Sequence, residues 1–496
     1  MDHTPIQQFY KDANVFITGG TGFMGKILVE KLLRSTEVGT LYLLVREKKG
    51  KHKDDRITEI FDDVVFKRLK SEKSKFRHRV QAISGDLMLP HLGLSESDRQ
   101  LLISKVNVII HMGATIKFNE SIISALHANV YSTKLVIDLA KEMKHIKSIV
   151  YVSTAYSNCT RSEVEERLYD PPISYEKSVE LIEKLSPKEL EKSTSRLIGK
   201  WPNTYTFTKC IAESLVNKEG NKLPVAIFRP SIVESTYREP MEGWKNNFYG
   251  ASGFYSALYT GFLQVNISSR DVVLDIVPVD MAISALIACA WDVSLKGNNR
   301  ASSDIPVYNY VSGPENPVLL GELTDIFLIY ARRYPSAQTL WKPHLIWANY
   351  YKFSILSFFL HTIPACILDI LAICTFNKPR ILDAYKKIHS SIICTAPFAT
   401  KGWKFRNDNV QRVWLGMDHR DKETFFFNMK DVNWTSYIRS YVMGIRKYIL
   451  KDSDKTLQAA KRKYRWLSIF NTTARWLMII FIYNIFLRLF KAIMNK

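Results

Sequence analysis

Cysteine is sparse and unpaired in this chain. Its six residues (Cys159, Cys210, Cys289, Cys366, Cys374 and Cys394) are scattered with no CxxC spacing. That excludes a disulfide scaffold and a cysteine-rich zinc site, and favours a reduced compartment facing the cytosol. The polar N-terminus, MDHTPIQQFYKDAN, lacks a basic stretch followed by an apolar core. No secretory signal peptide is expected, so the Asn-x-Ser/Thr triplets at Asn119, Asn158, Asn266, Asn433 and Asn471 read as chance matches. A repeat at the period of a solenoid or propeller is missing too. Acidic residues are in deficit, 48 against 69 Lys plus Arg, for a net charge of +21. The surplus favours a polyanionic partner, whether nucleic acid, an anionic lipid surface or a phosphorylated small molecule, and does not choose among them. With 46% apolar and 24% charged residues, the 496-residue chain is neither disordered nor fibrous. Its length suits about two or three domains.

A clean membrane span is also lacking, since about 20 apolar residues are needed to cross a bilayer. Phe353–Phe376 is broken by His361, Pro364 and Asp369. It reads as a buried core helix kinked by its proline, in preference to a membrane-facing hairpin. Trp476–Leu487 covers 12 residues and includes Asn484. It follows seven basic residues in Lys451–Arg475, and Lys491 and Lys496 lie beyond it. Such a tail is expected to dip into or barely span a membrane; the alternative is an amphipathic helix packed on the protein.

What the chain does have, over its first 235 residues, is alternation. Short buried strands are expected at Val15–Thr18, Leu41–Val45, Val80–Ile83, Val106–His111, Ser148–Ser153 and Val225–Arg229. Helical patterns lie at Met24–Arg34, Ile122–Met143 and Tyr205–Asn217, and a further one at Met281–Trp291. The fold class is therefore α/β, a Rossmann-type doubly wound parallel sheet with a mainly helical substrate-side and C-terminal region. Glu47–Arg79, rich in Lys, Arg and Asp, reads as a solvated helix pair or a basic patch near a phosphate-bearing ligand. Trp244–Leu263 is expected to form a substrate-side loop or cap.

Thr18-Gly19-Gly20-Thr21-Gly22-Phe23-Met24-Gly25 falls between the first strand and helix, and Gly19, Gly22 and Gly25 match GxxGxxG. The turn needs glycine where φ is positive and where backbone meets a pyrophosphate, and the helix N-terminus supplies free N–H groups. The second strand ends at Arg46, where an acid would hold the ribose of NAD; a guanidinium can instead pair with a 2′-phosphate, so NADPH is favoured over a surface arginine bound to water. Gly85-Asp86-Leu87 offers a carboxylate to an adenine amino group, or else a turn at a strand end. Tyr205 and Lys209 form YxxxK on one helical face, where an ammonium would lower the phenol pKa and make Tyr205 a general acid. The strand before them ends Val152-Ser153-Thr154-Ala155, which supplies a hydroxyl for a substrate carbonyl.

These motifs, with His111-x-Gly-Ala-Thr115, Asn129-Val130 and Arg229-Pro230-Ser231, resemble an extended short-chain dehydrogenase/reductase, and within it the fatty acyl-CoA reductases. HMGATIKF (111–118), VYVSTAYSN, FRPSIV (228–233) and VPVD are similar to that group's versions. The resemblance continues through His361-x-x-Pro-Ala, Lys378-Pro379, Trp403-Phe405 and Gly444-Ile445-Arg446-Lys447-Tyr448, and covers roughly residues 12–450. One departure is Gly113, where the family usually carries Ala.

The resemblance implies four segments: a NADP-binding domain at 12–240, a substrate-side extension at 241–350, a C-terminal reductase domain at 351–450, and a basic linker and membrane-associating tail at 451–496. It implies Tyr205 as acid and Lys209 as its modulator. Thr154 is the implied hydroxyl partner, with Ser153 as fallback. Asn129 would complete a proton relay through a water, or else cap or bend its helix. Thr18, Gly19, Gly22, Phe23, Met24, Gly25, Arg46, Asp86, Leu87, Tyr205 and Lys209 would hold the cofactor, and no metal is implied. The implied reaction is NADPH-dependent reduction of a long-chain acyl-CoA, through a bound aldehyde, to a primary alcohol. The enzyme would be membrane-associated with its catalytic domain facing the cytosol, on endoplasmic reticulum, peroxisome or lipid droplet. A homodimer is allowed for, and nucleic acid is not expected, since no binding motif accompanies the charge. The alternatives are a membrane-bound sterol dehydrogenase or epimerase of the same superfamily, against which Arg46 argues, and a non-catalytic NADP-sensing lipid-surface protein, which would have no need of an acid.

Overall fold

Short runs of Val, Ile and Leu, apolar on both faces, can be satisfied only where helices cover both sides of a sheet. In the computed structural model they form one parallel sheet of seven strands. The strands are β1 (Val15–Thr18), β2 (Leu41–Val45), β3 (Val80–Ser84), β4 (Val108–His111), β5 (Ser148–Val152), β6 (Val225–Pro230) and β7 (Val307–Tyr310). The structure describes residues 3–47, 50, 52–296 and 305–494; beyond residue 473, only the side chains of Trp476, Ile480, Tyr483 and Asn484 are described. Every strand residue is buried except in edge strand β3. The spatial order is β7-β6-β5-β4-β1-β2-β3. The order of winding reverses between β1 and β4, and ligands of such sheets bind outside the carboxyl ends at that switch point. Thr18 and His111 lie side by side there, in register.

The expected strands are all present within a residue or two of their limits, and the helix after β1 runs over Phe23–Ser35 (α1). The pattern at Ile122–Met143 is one helical stretch with a π turn at His127–Tyr131, continuing as α2 (Ser132–Lys141). The YxxxK helix is α3 (Thr204–Gly220), and α4 (Val279–Lys296) begins within the VPVD segment, two residues before its expected start. β7 has no counterpart among the expected strands. Its run is short and carries Asn309, whose buried amide donates to the carbonyls of Val164 and Arg406. The insertion before β3 is not merely solvated: Ile57, Phe61, Phe66, Leu69 and Phe76 are buried, and Phe61 makes edge contacts with Phe66 and Phe76.

The chain divides into two contact units, each discontinuous in sequence. The first comprises residues 1–244, 273–318 and 401–433, so it cuts across the four consecutive segments expected above. It includes Trp244, which the sequence pattern assigned to a substrate-side loop, and it takes back 401–433: Lys404–Phe405 pairs in parallel with Glu163–Val164. Its N-terminus is tied to that returning segment, because the Asp421 carboxylate accepts from the Thr4 hydroxyl and the Ile6 N–H.

The second unit, residues 245–272, 319–400 and 434–496, is mainly helical. Its core joins Ala257, Leu263, Val265 and Ile267 to Ala348, Phe353, Ile392 and Ala396. Two further helices, α5 (Leu320–Arg333) and α6 (Trp434–Gly444), meet through Phe327 and Tyr441 around Tyr255. The tail is a single helix, α7 (Leu457–Met494). The expectation of a buried core helix at Phe353–Phe376 is overturned. Tyr350–Cys374 forms a helix whose most apolar window has mean hydropathy 2.0 and is only 17% buried, long and apolar enough to cross a membrane.

Candidate functional site

The glycine turn is built by close approach. Gly19 has φ of +75°, and a Cβ there would lie 2.9 Å from the Gly113 nitrogen, so the ends of β1 and β4 meet backbone to backbone. A Cβ on Gly25 would overlap the Gly19 carbonyl oxygen, which lets α1 close onto the turn. Gly22 caps α1 without a side-chain acceptor, leaving the first-turn N–H groups clear for a phosphate. Phe23 stacks on Trp244 at 5.5 Å with 17° between the rings, and Met24 is half-buried beside it in sequence. These features fit the pyrophosphate of a dinucleotide.

Arg46, just past β2, is 55% exposed at its side chain, and its Nη1 lies 3.7 Å from Asp86 Oδ2. Asp86 Oδ1 accepts from the Met88 N–H at 3.0 Å, which fixes the carboxylate in a turn after β3. Leu87 is half-buried, and a Cβ on Gly113 would overlap its Cδ1. Glycine at 113 therefore makes room for a leucine beside the crevice.

Behind the turn runs a buried relay that the motifs did not reveal. The Gly113 N–H donates to Thr18 Oγ1 at 3.0 Å, and Thr18 Oγ1 lies 2.6 Å from His111 Nδ1. His111 Nε2 lies 3.1 Å from Thr133 Oγ1, which donates to the Asn129 carbonyl at 2.8 Å. Thr133 has spent its hydrogen on Asn129, so His111 must donate from Nε2 and accept at Nδ1 from Thr18. Burial, with the Lys209 charge nearby, pushes His111 down to about 3, so it stays neutral in this single tautomer. It braces β1 against α2.

β5 and α3 bring Thr154, Tyr205 and Lys209 together. The Thr154 side chain is near enough to the Tyr205 phenol to oppose the rise in its pKa, and Phe118 stacks on that ring at 6.0 Å. Lys209 Nζ donates to the Val152 carbonyl at 2.8 Å and to Tyr151 Oη at 3.2 Å, leaving one N–H for a ligand. The expected acidification of Tyr205 is not found. Burial raises its pKa, against the lowering effect of Thr154, and the Glu213 charge raises it further. Burial also pushes Lys209 down to about 7, opposed by Glu213. Desolvation prevails and Lys209 is not among the groups that shift the phenol, so Tyr205 keeps its proton.

Ser153 is placed differently. Its hydroxyl donates to Glu213 Oε1 at 2.5 Å, so it is committed to a carboxylate and is not the substrate's partner. Glu213 also accepts from Ser157 Oγ at 2.8 Å, from Asn158 Nδ2 at 3.3 Å, and from Arg229 Nε and Nη2 at 2.9 and 2.7 Å. Arg229 is fully buried and gives two further donors to the carbonyls of Glu165 and Arg167. This bolt joins α3, β5 and β6. The sequence signal for it is the spacing of Tyr205, Lys209 and Glu213, each four residues on.

Asn129, at 1% exposure, accepts from the Thr115 N–H at 2.9 Å and donates to the Thr115 carbonyl and Thr208 Oγ1 at 3.2 and 2.9 Å. With its amide fully engaged, it clamps the loop after β4 to α3, and the π turn gives it that position. No group of three or more metal-ligating side chains occurs among the described residues.

This arrangement has known counterparts. Two family models, both described as male sterility protein, match residues 17–286 and 360–452. The chain is 40% identical over 473 residues to the Drosophila melanogaster protein "Fatty acyl-CoA reductase wat", covering 95% of this chain and 91% of that protein. It is 36% identical over 484 residues to the Rattus norvegicus protein "Fatty acyl-CoA reductase 1", covering 97% and 93%. Among solved structures, the terminal R domain of the myxalamid PKS-NRPS pathway shares the fold, with a TM-score of 0.57 at 20% identity over 88% of this chain and 90% of that one. Matched in both parts and nearly end to end, the chain belongs to the fatty acyl-CoA reductase family, oxidoreductases of the extended short-chain dehydrogenase/reductase fold.

Proposed function

We propose that this chain reduces a long-chain acyl-CoA to the primary alcohol and free CoA, using NADPH. The observation that carries the reading is the convergence of Thr154 and Tyr205, with Lys209 held on the Val152 carbonyl, at the carboxyl end of a strand in the sheet that carries the glycine turn. The bound dinucleotide would supply hydride to the carbonyl carbon. Thr154 and Tyr205 would hold the thioester oxygen and stabilise the negative charge that develops there. Tyr205, protonated at neutral pH, would give its proton to that oxygen. The hemithioacetal would then lose CoA as the thiol, its C–S bond breaking as the C=O re-forms. A second hydride and proton delivered at the same pair would turn the aldehyde into the alcohol. Lys209 would use its remaining N–H on the nicotinamide ribose and offset the charge on the phenolate between steps.

Arg46 supports NADPH over NADH, because its exposed guanidinium ends the strand where a ribose-binding acid would otherwise stand. Acyl chains partition into membranes at about 0.8 kcal/mol per CH₂, so a lipid-surface location facing the cytosol suits the substrate. The decisive experiment is purified protein with palmitoyl-CoA. Two NADPH should be oxidised per CoA released, with hexadecanol as product by mass spectrometry. One NADPH per CoA, with free aldehyde, would end the four-electron reading.

A further inference from the structure

The segment Tyr350–Cys374 and the helix Ile381–Thr400 form two arms of a hairpin within the second unit. The turn between them is held by Asp369, whose carboxylate accepts from the N–H groups of Arg380, Ile381 and Leu382 at 2.9, 3.0 and 2.9 Å. The arms meet along a seam. Phe353, Ser357, His361 and Ala365 are buried on the first arm, and Tyr385, Ile392 and Ala396 on the second. His361 Nδ1 lies 2.9 Å from His389 Nε2, its ring stacks on Tyr385 at 4.8 Å, and Tyr385 Oη donates to the Phe262 carbonyl at 2.8 Å. With polar groups satisfied at the seam, the outer face of the first arm is left to oil. Ile355, Phe358, Phe359, Ile367, Leu371 and Ile373 are each more than half exposed, and Phe376 at the turn is fully so.

A soluble surface rarely shows an apolar patch of this extent, and such a patch marks an interaction site. Two features choose its occupant. Of the 21 positions of residues 350–374 outside the seam, 14 are exposed, a broad arc rather than the single stripe that one partner helix would cover. Across residues 350–400, five basic residues (Lys352, Lys378, Arg380, Lys386 and Lys387) stand against Asp369 and Asp383, and all five are exposed. Asp369 is turned to backbone N–H groups. Apolar residues with a basic fringe are the composition of an element that lies in an anionic membrane interface.

We propose that this hairpin embeds its first arm in the interface of an anionic phospholipid membrane, with the five basic side chains at the phosphate level. It is an attachment separate from the C-terminal tail, and it does not depend on the catalytic reading. The test uses the full-length protein with Cys366→Ser and Cys394→Ser, so that exposed Cys374 carries an environment-sensitive dye. Vesicles of phosphatidylcholine with phosphatidylserine, carrying a quencher on the acyl chain, should quench the dye; phosphatidylcholine alone should do so less. Adding Ile367→Glu with Leu371→Glu should abolish the quenching and weaken vesicle partition about tenfold or more, with circular dichroism unchanged. Two results would overturn the proposal. One is a vesicle-bound chain whose Cys374 dye remains in water, which leaves attachment to the tail alone. The other is a Cys374 thiol shielded without vesicles in a chain that sediments as a dimer, which assigns the face to a second copy.

Discussion

At the carboxyl ends of β5 and β6 the protein buries an arginine, a glutamate and a lysine and gives each its partners; along the hairpin at 350–400 it leaves large apolar side chains uncovered. Both regions invert the usual partition of polar outside and apolar inside. In the first the inversion is compensated internally, so its worth lies in fixed geometry. In the second the compensation must come from outside the chain. The same sequence therefore contains one region whose disruption costs folding or turnover and another whose disruption should cost neither.

Substitutions can test that contrast. The largest effect is expected from Tyr205→Phe, which removes the proton donor: kcat should fall about 10²–10⁴-fold while cofactor affinity stays close to the parent value, as measured by NADPH oxidation and titration. Glu213→Ala strands the buried Arg229 guanidinium and should cost about 3–5 kcal/mol in urea unfolding, whereas Glu213→Met with Arg229→Met should recover much of the loss. Equal losses in the two variants would dissolve the bolt as a coupled unit.

The pH response of Lys209 comes next. Its folded pKa, about 7, lies below the unfolded value of about 10.4, so the unfolded chain binds more protons between the two. Stability at this site should rise with pH over that window, while turnover that needs the ammonium should decline. Glu213→Gln should move the decline to lower pH, because Glu213 is the charge that opposes the burial effect. Arg46→Glu should weaken NADPH by about tenfold or more and NADH far less, from loss of a charge-assisted hydrogen bond. The smallest effect is expected from Ile367→Glu, within about 0.5 kcal/mol in stability because the side chain already faces outward.

The parallel sheet was legible because its strands are apolar at every position, and that pattern has few other uses. β7 was not, because Asn309 interrupts a four-residue run and its partners come from residues 164 and 406. The same limit applies at the site. Tyr205, Lys209 and Thr154 are marked by spacing along one helix or at one strand end. Four-residue spacing marks Glu213 itself, but the partners of His111 and of Glu213 lie 16 to 93 residues away, which periodicity does not encode. Tyr205 shows a second limit: spacing placed the ammonium one turn away, but only the fold reveals how much water the phenol has lost. The hairpin was misjudged because hydropathy reports that a helix is apolar and is silent on what, if anything, stands beside it.

Asp421 binds the fourth and sixth residues of the chain. A ribosome making this protein must therefore release residue 421 before the N-terminal segment gains this anchor in addition to the Ser35 carbonyl that Gln7 already holds, and an expression fragment stopped at residue 286, where the first family match ends, would lack Asp421 and leave strand Glu163–Val164 without its pairing partner. Solubility of such a fragment would say little about the enzyme. The reductase half is finished by sequence that a domain diagram assigns to the other half.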